Sequence, residues 1–235
     1  MRLDDPIGVR EEYATEQGLA GRKAAYRFAE GPDARQVAFE AVAEPAPRRI
    51  LEVGCGEGEL AERFVRELGC DVVAIDQSER MVDLTRSRGV DARVADVQAL
   101  PFRDGEFDCA LAAWMLYHVR AVDRALAELA RVLRPGGRLV AVTNSPEHLD
   151  ELYALLGKER VPASFDGDNG AELLRARFSS VQRRDAQGWI AFPDRNAAQS
   201  YVDASAQQFA GAELPELEGP LRVRRGPVVF VADKA

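Results

Sequence analysis

Ile50-Leu51-Glu52-Val53-Gly54-Cys55-Gly56-Glu57-Gly58 is a short, mostly apolar run that leads into three glycines spaced two residues apart. The run predicts a buried strand, and the helical spacing of Leu60, Phe64 and Leu68 after the glycines predicts a helix. Glycine is needed between them because the chain turns sharply there and no Cβ then blocks an approaching ligand. The stretch therefore predicts a strand–loop–helix unit that can hold a small molecule at the start of the helix.

Strand and helix patterns alternate along the rest of the chain. The first half predicts strands over 49–53, 71–75, 91–95, 108–113 and 138–142, with helices over 33–44, from 59 to 68, from 78 to 88, and around 126–133. The second half predicts helices over 146–156, 169–178 and 194–209, and strands over 179–185, 189–192 and 226–232. Nearly continuous apolar strands are typical of a parallel sheet covered by helices on both faces. The pattern therefore predicts a doubly wound α/β fold.

The bulk composition excludes several classes of protein. The chain has 235 residues and a net charge of −8. A protein that binds a polyanion usually carries a patch of basic residues instead. No apolar run approaches the roughly 20 residues that span a bilayer, and no apolar signal core follows the N-terminus. Three widely spaced cysteines, Cys55, Cys70 and Cys109, form no metal-ligand pattern. We expect a cytoplasmic protein with no nucleic acid, membrane or metal partner; the oligomeric state stays open.

The glycine spacing separates two classes of ligand. A dinucleotide loop usually reads Gly-x-Gly-x-x-Gly, whereas the third glycine here comes one residue early. Glu52 also lies two residues before Gly54, where a carboxylate would repel a pyrophosphate. Beside a ligand with an α-amino group the same carboxylate is acceptable. The loop disfavours a dinucleotide, which remains the alternative.

Two further acids end the next two predicted strands. Asp76 can accept both hydroxyls of a ribose, although it also suits the entrance of the following helix. Asp96 suits the 6-amino group of adenine, and the Val97 backbone N–H can reach a ring nitrogen, although Asp96 by itself also suits a turn. Together with the glycine loop, these acids indicate an adenosine-containing ligand.

With these features the sequence resembles a known family, the class I S-adenosylmethionine (SAM)-dependent methyltransferases, in their small-molecule branch with a ubiquinone/menaquinone-biosynthesis-type methyltransferase domain. The motifs that carry the resemblance lie at residues 51–58, 73–78, 96–102, 107–110 and 133–139. The resemblance implies a Rossmann-like sheet of seven strands in the order 3-2-1-4-5-7-6, with the last strand antiparallel. It also implies one domain over 1–235, with an N-terminal helical or lid segment (1–44), a SAM-binding core (45–145) and a C-terminal half (146–235) that includes an acceptor cap over about 147–209.

The resemblance also assigns the cofactor site, in which SAM is converted to S-adenosylhomocysteine. It places the methionine part of SAM in the glycine loop, the ribose on Asp76, adenine on Asp96 and Val97, and Met81 against the adenine face. Ala113 and Trp114 follow the fourth strand and line the sulfonium end. The full set of expected cofactor-binding residues is Glu52, Gly54, Cys55, Gly56, Gly58, Asp76, Gln77, Met81, Asp96, Val97, Ala113 and Trp114.

The acceptor end is less well defined by the sequence. His118 is the best-placed candidate for a general base, although packing at the end of a strand explains it at least as well. Tyr26, Trp114 and Tyr117 can form an aromatic wall for the acceptor, or they can be structural. We expect His148, the other histidine, to be exposed.

The chemistry that follows is transfer of a methyl group from SAM to an O, N or C atom of a small-molecule metabolite. The segment after the fourth strand reads Ala-Ala-Trp-Met. It lacks the Asn/Asp-Pro-Pro-aromatic motif of enzymes that methylate nucleic-acid amino groups. Two alternatives stay open, a SAM-binding protein without catalysis and a nicotinamide-dependent oxidoreductase.

Overall fold

The computed structural model describes residues 3–5, 8 and 17–235, so part of the predicted N-terminal segment lies outside the described residues. The strands β1 to β10 are, in chain order, Ala29–Glu30, Arg49–Val53, Asp71–Asp76, Asp91–Val94, Phe107–Ala113, Leu133–Asn144, Ser180–Asp185, Gly188–Phe192, Leu221–Arg225 and Pro227–Asp233. The helices α1 to α9 are Gln17–Ala25, Ala34–Ala43, Glu59–Leu68, Glu79–Ser87, Val122–Val132, Asp150–Leu155, Gly170–Arg175, Arg195–Ala204 and Ala206–Phe209.

The main sheet has seven strands in the order β4-β3-β2-β5-β6-β10-β7. Strands β2 to β6 pair in parallel, whereas β10 is antiparallel to both of its neighbours, β6 and β7. Numbered within this sheet, the order is 3-2-1-4-5-7-6 with the last strand antiparallel. The predicted fold is confirmed, and the order places the carboxyl ends of β2, β3 and β5 side by side, where ligands bind in open α/β sheets.

Helices cover both faces of the sheet, which explains why the strands are apolar along their length. On one face α2, α3 and α4 bury a cluster in which the rings of Phe39 and Phe64 stack with centroids 5.4 Å apart. On the other face α5 and α7 bury a second cluster that contains Phe165 and Phe230. Burial of these apolar clusters favours packing of the helices on each face of the sheet.

A small antiparallel sheet, β1-β8-β9, lies outside the main sheet, and β8 is the one strand of it that the sequence patterns predict. It shares a separate buried cluster with α1, α6, α8 and α9. Helix α1 lies close against α8 at Gly21, where an added Cβ would be 2.5 Å from the Ala204 Cβ. Within the predicted N-terminal segment 1–44, helix α1 is therefore packed onto the second half of the chain.

Several predicted elements have different bounds. The helix predicted over 146–156 begins only at Asp150, because Leu149 has a left-handed backbone with φ of 66°. The helix predicted over 194–209 is interrupted at Ser205, and the strand predicted over 138–142 extends to Leu133–Asn144. In the part of the chain that the structure describes, no helix is both long and apolar enough to cross a bilayer.

Gly58 and Gly69 flank α3 and provide a matched test of the glycine loop. Both have positive φ, +75° and +63°. An added Cβ at Gly58 would lie 2.6 Å from the Thr85 Oγ1, whereas nothing lies within 4 Å of the corresponding point at Gly69.

We predict that Gly69→Ala lowers the free energy of unfolding by about 1–2 kcal/mol, the cost of a left-handed alanine. Gly58→Ala should cost a further ~1–3 kcal/mol, because Thr85 must also move. Thermal unfolding of the two variants measures the difference, at about 2–4 °C for each kcal/mol in a chain of this size. Equal losses would contradict the close packing of the loop against α4.

Candidate active site

The glycine loop between β2 and α3 is hydrogen-bonded to the carboxyl end of β3. The Ile75 carbonyl accepts hydrogen bonds from the backbone N–H groups of Gly54, at 2.8 Å, and Cys55, at 3.1 Å. At Gly54 an added Cβ would lie 2.7 Å from the Met115 Cβ, so this position excludes a side chain. The loop is therefore held between β3 and the segment that follows β5.

A cavity of about 200 Å³ opens beneath this loop, at the carboxyl ends of β2, β3 and β5. The residues expected from the sequence that line it are Glu52, Gly54, Cys55, Gly56, Asp76, Gln77, Val97, Ala113 and Trp114. Lys23, Arg35, Glu57, Glu59, Met115 and His118 also line it. We call this space the first cavity.

Glu52 supplies a buried carboxyl group to the first cavity. The residue is 3% exposed, and its Oε2 has no hydrogen-bond partner. Burial raises the pKa of Glu52 to about 8, with the Ala61 backbone N–H acting in the opposite direction and the nearby Asp76 adding to the rise. The carboxyl group therefore holds a proton at neutral pH unless a cation reaches it.

Asp76 supplies a second carboxyl group. Its Oδ2 accepts the Gly56 N–H at 3.0 Å and its Oδ1 accepts the Ser78 N–H at 2.9 Å. Burial raises the pKa of Asp76, and the backbone N–H groups of Ser78, Gly56 and Gln77 oppose that rise. Each oxygen accepts one of these bonds and keeps lone-pair capacity for a ligand.

Three residues expected at the cofactor do not line the first cavity. Gly58 is the left-handed residue that precedes α3, and Met81 is a completely buried residue in the first turn of α4. Asp96 is exposed, and its Oδ1 accepts the Gln98 N–H at 2.8 Å. Its neighbours Ala95 and Val97 line the cavity instead.

A second cavity, of about 140 Å³, adjoins the first. The two share Lys23, Arg35, Trp114 and His118. The second is also lined by Leu3, Arg22, Tyr26, Tyr117, Asn144, His148, Tyr201, Ser205 and Gln208. Tyr26, Trp114 and Tyr117, which the sequence indicates as an aromatic wall, thus surround one space.

Trp114 stands between the two cavities in an uncommon backbone conformation. Its φ is 53°, a left-handed value that is unfavourable for a bulky residue. The backbone N–H donates to the Val142 carbonyl at 2.8 Å, and the indole Nε1 donates to the Asn144 Oδ1 at 3.3 Å. These two bonds hold the ring, and strain of this kind clusters at functional sites.

His118 lines both cavities, and its tautomer follows from its partner. The ring Nδ1 lies 2.8 Å from the Leu3 carbonyl oxygen, which can only accept, so Nδ1 carries the proton. Nε2 then has the lone pair. Burial lowers the pKa of His118 to about 4; the Leu3 carbonyl opposes this change and Arg22 contributes to it.

His148 is half-buried, so the prediction that it is exposed is wrong, and it lines the second cavity. The Gly226 N–H donates to its Nδ1 at 3.2 Å, so Nε2 carries the proton. Burial lowers the pKa of His148 to about 3, with Arg160 and Arg225 adding to the effect. His118 and His148 are therefore opposite tautomers. Nε2 of His118 is a proton acceptor, whereas Nε2–H of His148 is a hydrogen-bond donor.

Charged groups at the mouth of the first cavity are mostly paired. The Lys23 ammonium bridges Glu57 and Glu59, and the latter also pairs with Arg35 at 3.3 Å. The Arg22 guanidinium donates to the Ala204 carbonyl at 3.0 Å. No cluster of three or more His, Cys, Asp or Glu that could hold a metal ion occurs in the described ranges.

Comparison with known proteins gives one family. Residues 51–141 match the model of a methyltransferase domain. An uncharacterized methyltransferase of Mycobacterium tuberculosis is 34% identical over 175 residues, which are 69% of each chain. A ubiquinone/menaquinone biosynthesis C-methyltransferase of Saccharophagus degradans is 35% identical over 195 residues, which are 79% of this chain and 76% of the relative.

Solved structures share the fold at lower identity. One is the Burkholderia thailandensis 1,6-didemethyltoxoflavin-N1-methyltransferase, solved with 1,6-didemethyltoxoflavin and S-adenosylhomocysteine bound. It is 20% identical, with a TM-score of 0.60, and the match covers 97% of this chain and 87% of that one. At this identity the likeness establishes the architecture alone.

The two ring tautomers can be observed directly, because the chain has only two histidines. We predict that long-range proton–nitrogen NMR spectra at pH 6 show two neutral rings, His118 protonated on Nδ1 and His148 on Nε2. Both lowered pKa values place protonation well below pH 6, at about 4 and about 3. His118→Asn assigns the signals. Two identical tautomers, or a ring that is charged at pH 6, would contradict the geometry.

Proposed function

The chain belongs to the class I SAM-dependent methyltransferases that act on small molecules. We propose that the first cavity binds SAM and that the second cavity holds the methyl acceptor. The observation that carries the proposal is the junction of the two cavities at Trp114 and His118. SAM, when bound, supplies an electrophilic methyl group whose bond to sulfur breaks, with the electron pair left on sulfur, as the acceptor's lone pair bonds to carbon. The chain's part is to align the two molecules and exclude water.

Glu52 fits the α-amino end of the donor. Its Oε2 is buried without a hydrogen-bond partner, and a buried polar atom in that state is costly. An ammonium group would supply the missing donor and would favour the ionised carboxylate, as a neighbouring positive charge does. The requirement for a positively charged ligand supports SAM and disfavours a pyrophosphate.

Asp76 and the glycine loop fit the ribose and the carbons beside it. The Asp76 oxygens are oriented by the N–H groups of Gly56 and Ser78, which leaves lone pairs for two vicinal hydroxyls. Ala95 and Val97 offer apolar contacts for adenine at the next strand end. Asp96 and Met81 would need to act from outside the cavity lining, so we assign the adenine contact to Val97.

Trp114 and the two histidines fit a role at the acceptor. Trp114 is held by two hydrogen bonds at the boundary, so its ring can define the direction from which the acceptor approaches. The Nε2 lone pair of His118 can receive a proton from the acceptor, and the Nε2–H of His148 can donate a hydrogen bond to an acceptor oxygen. Tyr26 and Tyr117 provide flanking aromatic surface.

The first test concerns the proton on Glu52. At pH 6.5 a carboxyl group with a pKa of about 8 is protonated, whereas its salt bridge with the α-ammonium of S-adenosylhomocysteine requires the ionised form. We predict that binding releases about one proton and that affinity rises with pH below 8, by up to about tenfold per pH unit. Calorimetry in buffers of different ionisation enthalpy counts the proton.

Glu52→Gln is the matched variant, because it keeps the shape and removes the ionisation. Its binding should release no proton and should not strengthen as pH rises from 6 to 7.5. A wild-type protein that binds S-adenosylhomocysteine without releasing a proton would rule out the pairing of Glu52 with the amino group.

The second test follows the methyl group. Incubation with methyl-labelled SAM and a bacterial metabolite extract should place the label in the small-molecule fraction. Asp76→Ala should weaken SAM binding by about 1–3 kcal/mol, a loss of roughly five- to 150-fold in affinity, because the ribose loses its partner. Asp91→Ala, which removes an exposed aspartate on the edge strand β4, is the control and should behave as wild type. Label recovered in protein or RNA would contradict a small-molecule acceptor.

A further inference from the structure

A third cavity, of about 130 Å³, adjoins the second cavity. The two share five of the described lining residues, which we call the neck: Leu3, Tyr117, Asn144, His148 and Gln208. The first and third cavities share no lining residue in the part of the chain that the structure describes. The three cavities therefore lie in a row, and a molecule in the second cavity can reach SAM at one end and the third cavity at the other.

Asn144 ends β6 in the neck, and the orientation of its amide group follows from its partner. The indole Nε1–H of Trp114 can only donate, so the atom that it contacts at 3.3 Å is the Asn144 oxygen, Oδ1. Nδ2 then carries both hydrogens of the amide. Because Oδ1 is engaged by Trp114, Asn144 offers a hydrogen-bond donor to the two cavities that it lines.

His148 is a second donor in the neck. Its Nδ1 accepts the Gly226 N–H at 3.2 Å, so the neutral ring carries its proton on Nε2. Burial lowers the pKa of His148 to about 3, so the ring stays neutral at physiological pH. The one ring nitrogen of His148 that remains for a ligand is therefore a neutral N–H donor.

Close packing holds the turn between Asn144 and His148 in place. The Ser145 N–H donates to the Gly226 carbonyl at 2.6 Å. An added Cβ at Gly226 would clash with the Ser145 Oγ, and one at Gly167 would lie 3.0 Å from the Ser145 Cα. The two donors are therefore positioned before a ligand binds, which lowers the entropic cost of binding it.

Two positioned donors favour a ligand oxygen that accepts hydrogen bonds and brings no hydrogen of its own. A carbonyl oxygen has two lone pairs and no hydrogen, whereas a hydroxyl group also needs an acceptor. Tyr117 and Gln208 can each donate or accept, so they are compatible with such an oxygen. A ligand that leaves buried donors without an acceptor loses affinity. The neck therefore favours a carbonyl compound over a hydrocarbon of the same shape.

Beyond the neck, the third cavity offers apolar and aromatic surface. Its charged lining residues already have partners: the Arg160 Nε donates to the Asp150 Oδ1 at 3.0 Å, and the Asp166 Oδ1 accepts the Asp168 N–H at 2.8 Å. A ring or a short chain can fill a space of this kind by contact alone. The apolar and aromatic side chains that line it include Pro146, Leu149, Tyr153, Val161 and Pro162.

We propose that the methyl acceptor is an elongated carbonyl compound that extends through the neck. Its reacting atom lies in the second cavity beside Trp114, its carbonyl oxygen accepts hydrogen bonds from Asn144 and His148, and a further group fills the third cavity. This inference rests on the proposed function, which assigns the second cavity to the acceptor.

The test compares three neutral phenols in the presence of excess S-adenosylhomocysteine. 4-Hydroxybenzophenone has two rings joined by a carbonyl group, and 4-benzylphenol has the same rings joined by a methylene group. 4-Hydroxyacetophenone keeps the carbonyl group and has a methyl group instead of the second ring. We expect calorimetry with the wild-type protein to show that 4-hydroxybenzophenone binds at least about fivefold more tightly than 4-benzylphenol and about tenfold more tightly than 4-hydroxyacetophenone.

Equal binding in either comparison, or no binding of 4-hydroxybenzophenone, would overturn the proposal. The first comparison isolates the carbonyl oxygen in the neck, and the second isolates the group in the third cavity.

His148→Asn and Asn144→Asp each remove one donor and keep the other contact of the side chain. In His148→Asn the shorter amide can still accept the Gly226 N–H, and in Asn144→Asp the carboxylate can still accept the Trp114 indole N–H. Each should lower the preference for 4-hydroxybenzophenone over 4-benzylphenol by about two- to tenfold. Asn196→Asp makes the same amide-to-acid change at an exposed position of α8 and is the control.

A cooperative thermal transition shows that each variant is folded. The isotope-labelled carbonyl carbon of bound 4-hydroxybenzophenone reports the hydrogen bonds themselves, because its NMR signal moves downfield when the oxygen accepts them. The signal should lie further downfield in the wild-type protein than in either variant. A carbonyl preference that survives in both variants, or one carbon shift common to all three proteins, would overturn the proposal.

These binding measurements require no methyl transfer, so the two proposals fail separately. A carbonyl preference without any labelled small-molecule product rejects the assignment of the acceptor to the second cavity and leaves a site for carbonyl compounds. Labelled product without a carbonyl preference rejects the carbonyl acceptor alone.

Discussion

The burial of one carboxyl group, that of Glu52, is the constraint on which the site depends. β2 lies between β3 and β5 in a sheet covered on both faces, so the Glu52 side chain is removed from water whatever its ionisation state. A group in that position is stable either as a protonated acid or beside a cation. The glycine loop is hydrogen-bonded to Ile75 and Asp76. It leaves room beside Glu52 for a ligand that can supply the cation.

The main sheet and the first cavity were predictable from the sequence because the patterns that indicate them lie within short stretches of the chain. The apolar strand 49–53, the glycines after it and the helical spacing of α3 all lie within a short stretch, and each later strand repeats the pattern. Asp76 follows its strand directly, so its place at the cavity edge follows from the parallel topology. Met81 shows the limit: helical spacing places it at the start of α4, but only packing determines that it is buried away from the cavity.

The second cavity was less predictable because contacts between residues distant in sequence create it. The small sheet joins β1 to β8 and β9, and its two-residue strand β1 has no periodic pattern to detect. His148 is half-buried because a turn brings it against Gly226, and Arg225 is buried because β9 pairs with β8. The tautomers of the histidines depend on partners more than 70 residues away, which a sequence pattern does not encode.

We propose that the first cavity recognises SAM and not a dinucleotide. Isothermal titration of the wild-type protein with S-adenosylhomocysteine and, separately, with NADH compares the two classes directly. We expect S-adenosylhomocysteine to bind at one site per chain and NADH to give no binding heat. Binding of NADH, with no binding of S-adenosylhomocysteine, would contradict it.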